Sequence, residues 1–189
     1  MRRLLVLFLG LVLAGAAAAA TAPLPGDSVL RVPANFKDQD GKAFTLAQRR
    51  GGVQLVTMFY SSCPYACPLI IDTGKGVDHA LAPAERARLR VLLLSLDPVR
   101  DTPAKLSALA AKRKIDTARW TLATTDAGGV RQTAAVLGIR YRQLANGEFN
   151  HSSVMILLDA DGRILARTEK IGAQPDPAFL AAVRSALRK

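Results

Sequence analysis

The sequence predicts an α/β domain, a mixed central sheet flanked by helices, on three observations. Two short apolar runs, Val53–Tyr60 and Leu89–Leu96, each lead into a helical pattern, as strand–helix units do. Two turn signals, Asn146-Gly147 and "ADG" at 160–162, then mark antiparallel hairpins. The amphipathic "DPAFLAAVRSALRK" closes the chain as a helix.

Taken in order, Pro23, Pro25 and Pro33 indicate an extended lead-in, and "DQDGKAFTL" reads as a hairpin turning at Asp40-Gly41. Val53–Tyr60 is rich in β-formers and reads as a buried strand. A helix over about 68–81 follows, although Gly74 and Gly76 are poor helix formers. Leu89–Leu96 is a second buried strand. In "DPVRDTP" Thr102 is placed to cap a helix, with Pro103 at its first position and "AKLSALAAKRK" as its body. "RWTLAT" has weak strand character, and "DAGGVRQTAAVLG" reads as a helix ended by Gly138. "IRYRQL" and "EFN" flank the Asn146-Gly147 turn, and "SSVMILLD" and "RILARTEK" flank the second hairpin.

The first 22 residues are read apart from this domain. Arg2 and Arg3 precede an apolar run of 17 residues, Leu4 to Ala20, and "ATA" at 20–22 fits a small-residue cleavage site. Together these make an export signal, with an uncleaved membrane anchor as the alternative. The expected location is periplasmic, or at the inner membrane facing the periplasm. Residues 23–189 are long enough for one domain with a substantial core. The net charge of +11 falls to +9 without Arg2 and Arg3. That basic excess is dispersed, and no aromatic residues interleave with it to stack bases, which argues against a nucleic-acid partner. It reads as a solvated surface, with steering towards an acidic partner or an anionic membrane face as the alternative.

Both cysteines lie in "YSSCPYACP", as Cys63 and Cys67. In an oxidising compartment they could form a structural staple, but so short a loop gains little from closure. Chemistry explains the spacing better. The pair follows the carboxyl end of a buried strand and opens a helix, where the helix dipole favours thiolate. Residues four apart on a helix have Cβ atoms roughly 5–6 Å apart, wider than a disulfide prefers and suited to sharing a metal ion. A reversible dithiol without metal fits the same pair. A third ligand would separate the two cases, and the chain has two histidines. His79, in "GVDHALAP", is expected to face solvent without a role. His151, in "EFNHSSVMILLD", is expected at the entry to a buried strand and at the sheet rim. Read alone it is a hydrogen-bonded strand-end histidine; beside two thiolates it becomes a candidate ligand. Two thiolates and an imidazole form a soft set suited to Cu(I) and acceptable to Cu(II) or Zn. Met58 and Met155 lie in apolar strand runs and read as core.

Three segments resemble the Sco/SenC copper chaperones: "FYSSCPYACP", "LSLDPVRDTP" and "NHSSVMILLDADGRI", in that order. The resemblance runs from about Val32 to the C-terminus. It implies a thioredoxin-like fold with an inserted hairpin and an exported or anchored copper-binding protein. It also implies delivery to the dinuclear copper centre of a respiratory oxidase, whose copper-bearing subunit would be a partner beside other copper chaperones or thiol reductases. Carried over, Cys63, Cys67 and His151 become the copper ligands. Many members have an acidic residue where this chain has Asn150, and "RQLANGEFN" is a short approach to the histidine. Asn150 supplies no carboxylate to hold the imidazole. Asp97 is a candidate supporting group beside the cysteines, while Asp101 or Thr102 reads as a helix cap.

The main alternative is a thiol–disulfide oxidoreductase in which Cys63 and Cys67 keep a partner's thiols reduced, with His151 secondary. A peroxidase would want Thr or Ser three residues before the attacking cysteine, and Tyr60 and Pro64 stand there instead. An assembly or sensing partner without delivery activity is the third reading.

Overall fold

A computed structural model describes residues 22–63 and 66–188, with the backbone alone at Ala66 and Cys67. The expected export signal lies at residues 1–22, almost wholly outside the described residues. Among those described, no helix is long and apolar enough to cross a membrane.

The architecture is the expected mixed sheet with helices. Its strands are β1 (Asn35–Asp38), β2 (Ala43–Thr45), β3 (Gln54–Phe59), β4 (Arg90–Ser95), β5 (Trp120–Thr124), β8 (Met155–Leu158) and β9 (Ile164–Thr168). They form one seven-stranded sheet in the order β2-β1-β5-β4-β3-β8-β9. β3, β4 and β5 run parallel, and β1 and β8 join them antiparallel. All six residues of β3 and five of six in β4 are buried, as a strand covered on both faces requires. Met58 and Met155 are both in this core. β5, whose strand signal was weak, lies between β4 and β1, and its Trp120 is buried. Packing decides its state where local propensity does not.

The helices are α1 (Ala66–Ala80), α2 (Pro83–Arg88), α3 (Pro103–Lys112), α4 (Ala127–Leu137) and α5 (Pro177–Arg188). Thr102 caps α3 as expected, accepting from the Lys105 N–H at 3.4 Å. Asp126 caps α4, which ends at Gly138. α2 was not expected. Its six residues bury none of their side chains, so it carries no apolar period. Its start is nonetheless marked, by Pro83 and by Glu85, whose carboxylate accepts from the Ala82 N–H at 3.0 Å.

The two glycines of α1 are explained by close approach. A Cβ on Gly74 would lie 2.6 Å from a ring carbon of Trp120, and one on Gly76 would lie 2.1 Å from the Ala173 carbonyl oxygen. The helix thus packs directly onto β5 and the loop before α5. Gly76→Ala is expected to lower the unfolding free energy by about 2 kcal/mol, since backbone must move to admit the methyl. Denaturant unfolding measures it, and a neutral result would mean the 172–175 loop yields freely.

A separate ribbon, β6 (Tyr141–Gln143) with β7 (Phe149–His151), stands outside the main sheet. Gly147 closes it at φ 80°, a conformation glycine adopts without strain. This is the extra hairpin, and it corrects one expectation. His151 does not enter the buried strand β8 but ends β7, paired with Tyr141.

Candidate metal centre

Three segments meet at the carboxyl end of the parallel strands, where open α/β sheets place their sites. β3 runs into Tyr60–Cys63, β4 into the turn 96–102, and the ribbon brings His151 across. Cys63 follows a tight turn in which its N–H donates to the Tyr60 carbonyl at 3.3 Å. It is half-buried against the core and lies outside α1, whereas Cys67 is in the first turn of that helix. The two are therefore not spaced as residues four apart on one regular helix. The side chain of Cys67 lies outside the described residues.

Tyr60 links the cysteine turn to the ribbon. Its ring is buried edge-on to Phe149 at 5.2 Å between centroids and to His151 at 5.8 Å. Its hydroxyl donates to the Phe149 carbonyl at 3.3 Å, and its phenol also hydrogen-bonds the Cys63 side chain. Burial above all, then the Cys63 partner, pushes the phenol above its ordinary range. Tyr60 accordingly stays protonated at neutral pH, its one proton given to the Phe149 carbonyl and its oxygen beside the Cys63 sulfur. Nothing in the sequence reading singled it out; its place directly before "SSC" was the only signal.

His151 is half-buried on the wall of an open cavity of about 360 Å³. Arg140, Tyr141, Arg142, Asn150 and Ser152 complete the lining. Nδ1 lies 3.1 Å from the Ser152 carbonyl oxygen, which accepts only from the tautomer protonated there. Nε2 is buried and has no hydrogen-bond partner among the described residues. Burial holds the imidazole below its ordinary pKa, partly offset by the Ser152 carbonyl. The ring is thus neutral at pH 7, with its Nε2 lone pair uncommitted. A metal-binding histidine needs that state, with the other nitrogen donating to a carbonyl. Here the carbonyl of Ser152 takes the part that Asn150 cannot, and Asn150 is exposed.

The turn 96–102 holds more than helix caps. Asp97 is buried; its carboxylate accepts from the Arg100 N–H at 3.1 Å and pairs with the Arg100 guanidinium. Asp97 therefore anchors Arg100. Asp101, expected as a cap, is fully buried and reaches back to the cysteine turn. It accepts from the Ser61 N–H at 2.9 Å, from the Ser61 hydroxyl, and from the Ser95 hydroxyl at 2.6 Å. His79 is exposed and distant in sequence from these elements, on α1. Among the described residues, no three or more His, Cys, Asp or Glu side chains are arranged to hold a metal. The structure brings Tyr60, Cys63 and His151 together.

A family model described as SCO1/SenC matches residues 26–188. The SCO1 protein homolog of Bacillus subtilis is 24% identical over 157 residues, 82% of this chain and 81% of that protein. ScoI of Bradyrhizobium japonicum with copper bound superposes with a TM-score of 0.65 at 21% identity, covering 81% of this chain and 96% of the other. BsSco, a member of the Sco family of cytochrome c oxidase assembly proteins, superposes at a TM-score of 0.68 and 24% identity, covering 82% and 91%. These likenesses identify the fold as thioredoxin-like, of the Sco kind.

Proposed function

The chain belongs to the SCO1/SenC family, and from that premise we propose that it is an exported copper-binding protein. Copper is its cargo, held by Cys63, Cys67 and His151 and passed to the dinuclear copper site of a respiratory oxidase. The observation that carries this reading is the state of His151: a neutral imidazole whose buried Nε2 lacks a partner among the described residues, reached by Tyr60 from the cysteine turn. The large majority of buried side-chain polar atoms in folded proteins are satisfied. Two thiolates with one imidazole favour Cu(I), and three ligands leave room for an acceptor's thiol to enter before the donor's leaves. Oxidation of Cys63 and Cys67 to a disulfide, releasing two electrons and two protons, would remove both sulfur ligands. The exported location rests on Arg2, Arg3 and the apolar run after them.

A second reading has its own observation. The Tyr60 phenol hydrogen-bonds Cys63, and if turned from the Phe149 carbonyl to the sulfur it would donate to a thiolate, as a dithiol reductase requires. In that case the Cys63/Cys67 pair donates two electrons and two protons to a partner's disulfide, and His151 matters little.

A Cu(I) competition titration of the reduced protein against a chromogenic chelator tests the choice. The expected result is one-to-one binding, weakened at least about tenfold by His151→Ala, since a lost ligand should cost no less than a lost outer partner. Weak binding indifferent to His151, with an intact reversible dithiol, would move the function to the reductase.

A further inference from the structure

The ribbon that carries His151 has little of its own to hold it in place. Its two strands are three residues each, and they pair with one another rather than with the seven-stranded sheet. A lone two-stranded ribbon is marginal in water. The position of His151 relative to the cysteine turn therefore depends on side chains that cross to it.

Arg100 makes such a crossing. Its guanidinium donates to the Gly147 carbonyl at 2.6 Å, at the ribbon's turn, and lies 3.5 Å from the Glu148 carboxylate. Its other edge is fixed by the buried Asp97. The fork geometry of a guanidinium permits both engagements at once, and a lysine could make only one of them as well. The next residue, Asp101, holds Ser61 in the cysteine turn through both its N–H and its hydroxyl. Asp101 is itself braced by its N–H donating to the Asp97 carbonyl at 2.9 Å. One short turn thus grips the histidine arm with one side chain and the cysteine arm with its neighbour.

We propose that Arg100 is a positioning residue for the metal site, tethering the His151 ribbon through Gly147 and Asp97 to the 96–102 turn, whose Asp101 holds the cysteine turn. This inference rests on the ligand assignment of the proposed function. Losing the tether leaves the ribbon held by the packing of Tyr60, Tyr141 and Phe149 alone and shifts the imidazole, while the cysteine turn, held separately by Asp101 through Ser61, keeps its chemistry. Arg100 acts on metal affinity through His151 and not through the sulfurs.

The test uses the full reduced protein with Arg100→Gln, Arg100→Lys, His151→Ala and the double variant Arg100→Gln/His151→Ala. Cu(I) competition titration is expected to show Arg100→Gln weakened about tenfold, in the range usual for partners that orient a ligand. Arg100→Lys should recover part of the loss, and the double variant should bind no more weakly than His151→Ala. The Cys63/Cys67 reduction potential, measured against glutathione, should not move. In the metal-free protein, amide exchange across residues 141–151 should quicken in Arg100→Gln while β3 stays protected. Affinity dependent on His151 but unchanged in Arg100→Gln would overturn the tether alone. Additive losses in the double variant, or a shifted potential, would place Arg100's effect on the cysteines or the fold and overturn it too. Wild-type binding indifferent to His151→Ala would remove the ligand assignment and the tether with it.

Discussion

Cys63→Ser is expected to abolish tight Cu(I) binding, weakening it on the order of a hundredfold or more, beyond the range seen when only an outer partner is lost. The reason is the donor atom. A cysteine gives a metal a soft thiolate, whereas a serine hydroxyl keeps its proton and is hard. The fold should hardly notice. Cys63 is half-buried at the margin of the core, and its side chain can exchange sulfur for oxygen while Tyr60 still has an acceptor to meet. Unfolding free energy should fall by no more than about 1.5 kcal/mol, as for other swaps of similar volume. The substitution also removes the dithiol, so it tests where the metal sits rather than which function is served. Binding retained within tenfold, on a stable protein, would place copper elsewhere and undo the three-ligand site.

Much of this molecule can be read locally, and the failures have a common cause. β3 and β4 announce themselves as apolar runs because both of their faces are covered. Thr102 and Pro103 mark the start of α3 because capping involves neighbours in sequence. What could not be read is contact over long separation. Asp101 looked like a cap since its local setting is a helix start; its partner Ser61 lies 40 positions away. Arg100 reaches Gly147 across 47. His151 was expected to lead into β8, because the Asn146-Gly147 turn reveals a hairpin but not how far its strands pair. The pairing with Tyr141 holds it in the ribbon instead. The ligand candidates were therefore legible as residue types, while the devices that gather them were not.

Asp101 offers the sharpest test of that gathering. Asp101→Ala is expected to lower unfolding free energy by about 3 kcal/mol, because it strands three donors at once at roughly 1–3 kcal/mol for each one left buried. Those donors are the Ser61 N–H, the Ser61 hydroxyl and the Ser95 hydroxyl, and Ser95 is itself 1% exposed. Some relief is open to Ser61, which is half-buried and can find water; Ser95 has no such access. Asp101→Asn keeps one acceptor oxygen in the same space and should cost about half as much. Urea unfolding of the metal-free protein measures both. The loss should also be uneven. The Cys63 N–H, which closes its turn on Tyr60, should exchange faster in Asp101→Ala, while the amides of β3 should slow or quicken only with global stability. A cost below about 1 kcal/mol with unchanged Cys63 exchange would mean that the turn stands without its carboxylate. The cysteine arm would then be held by the strand that precedes it and not by the turn after β4.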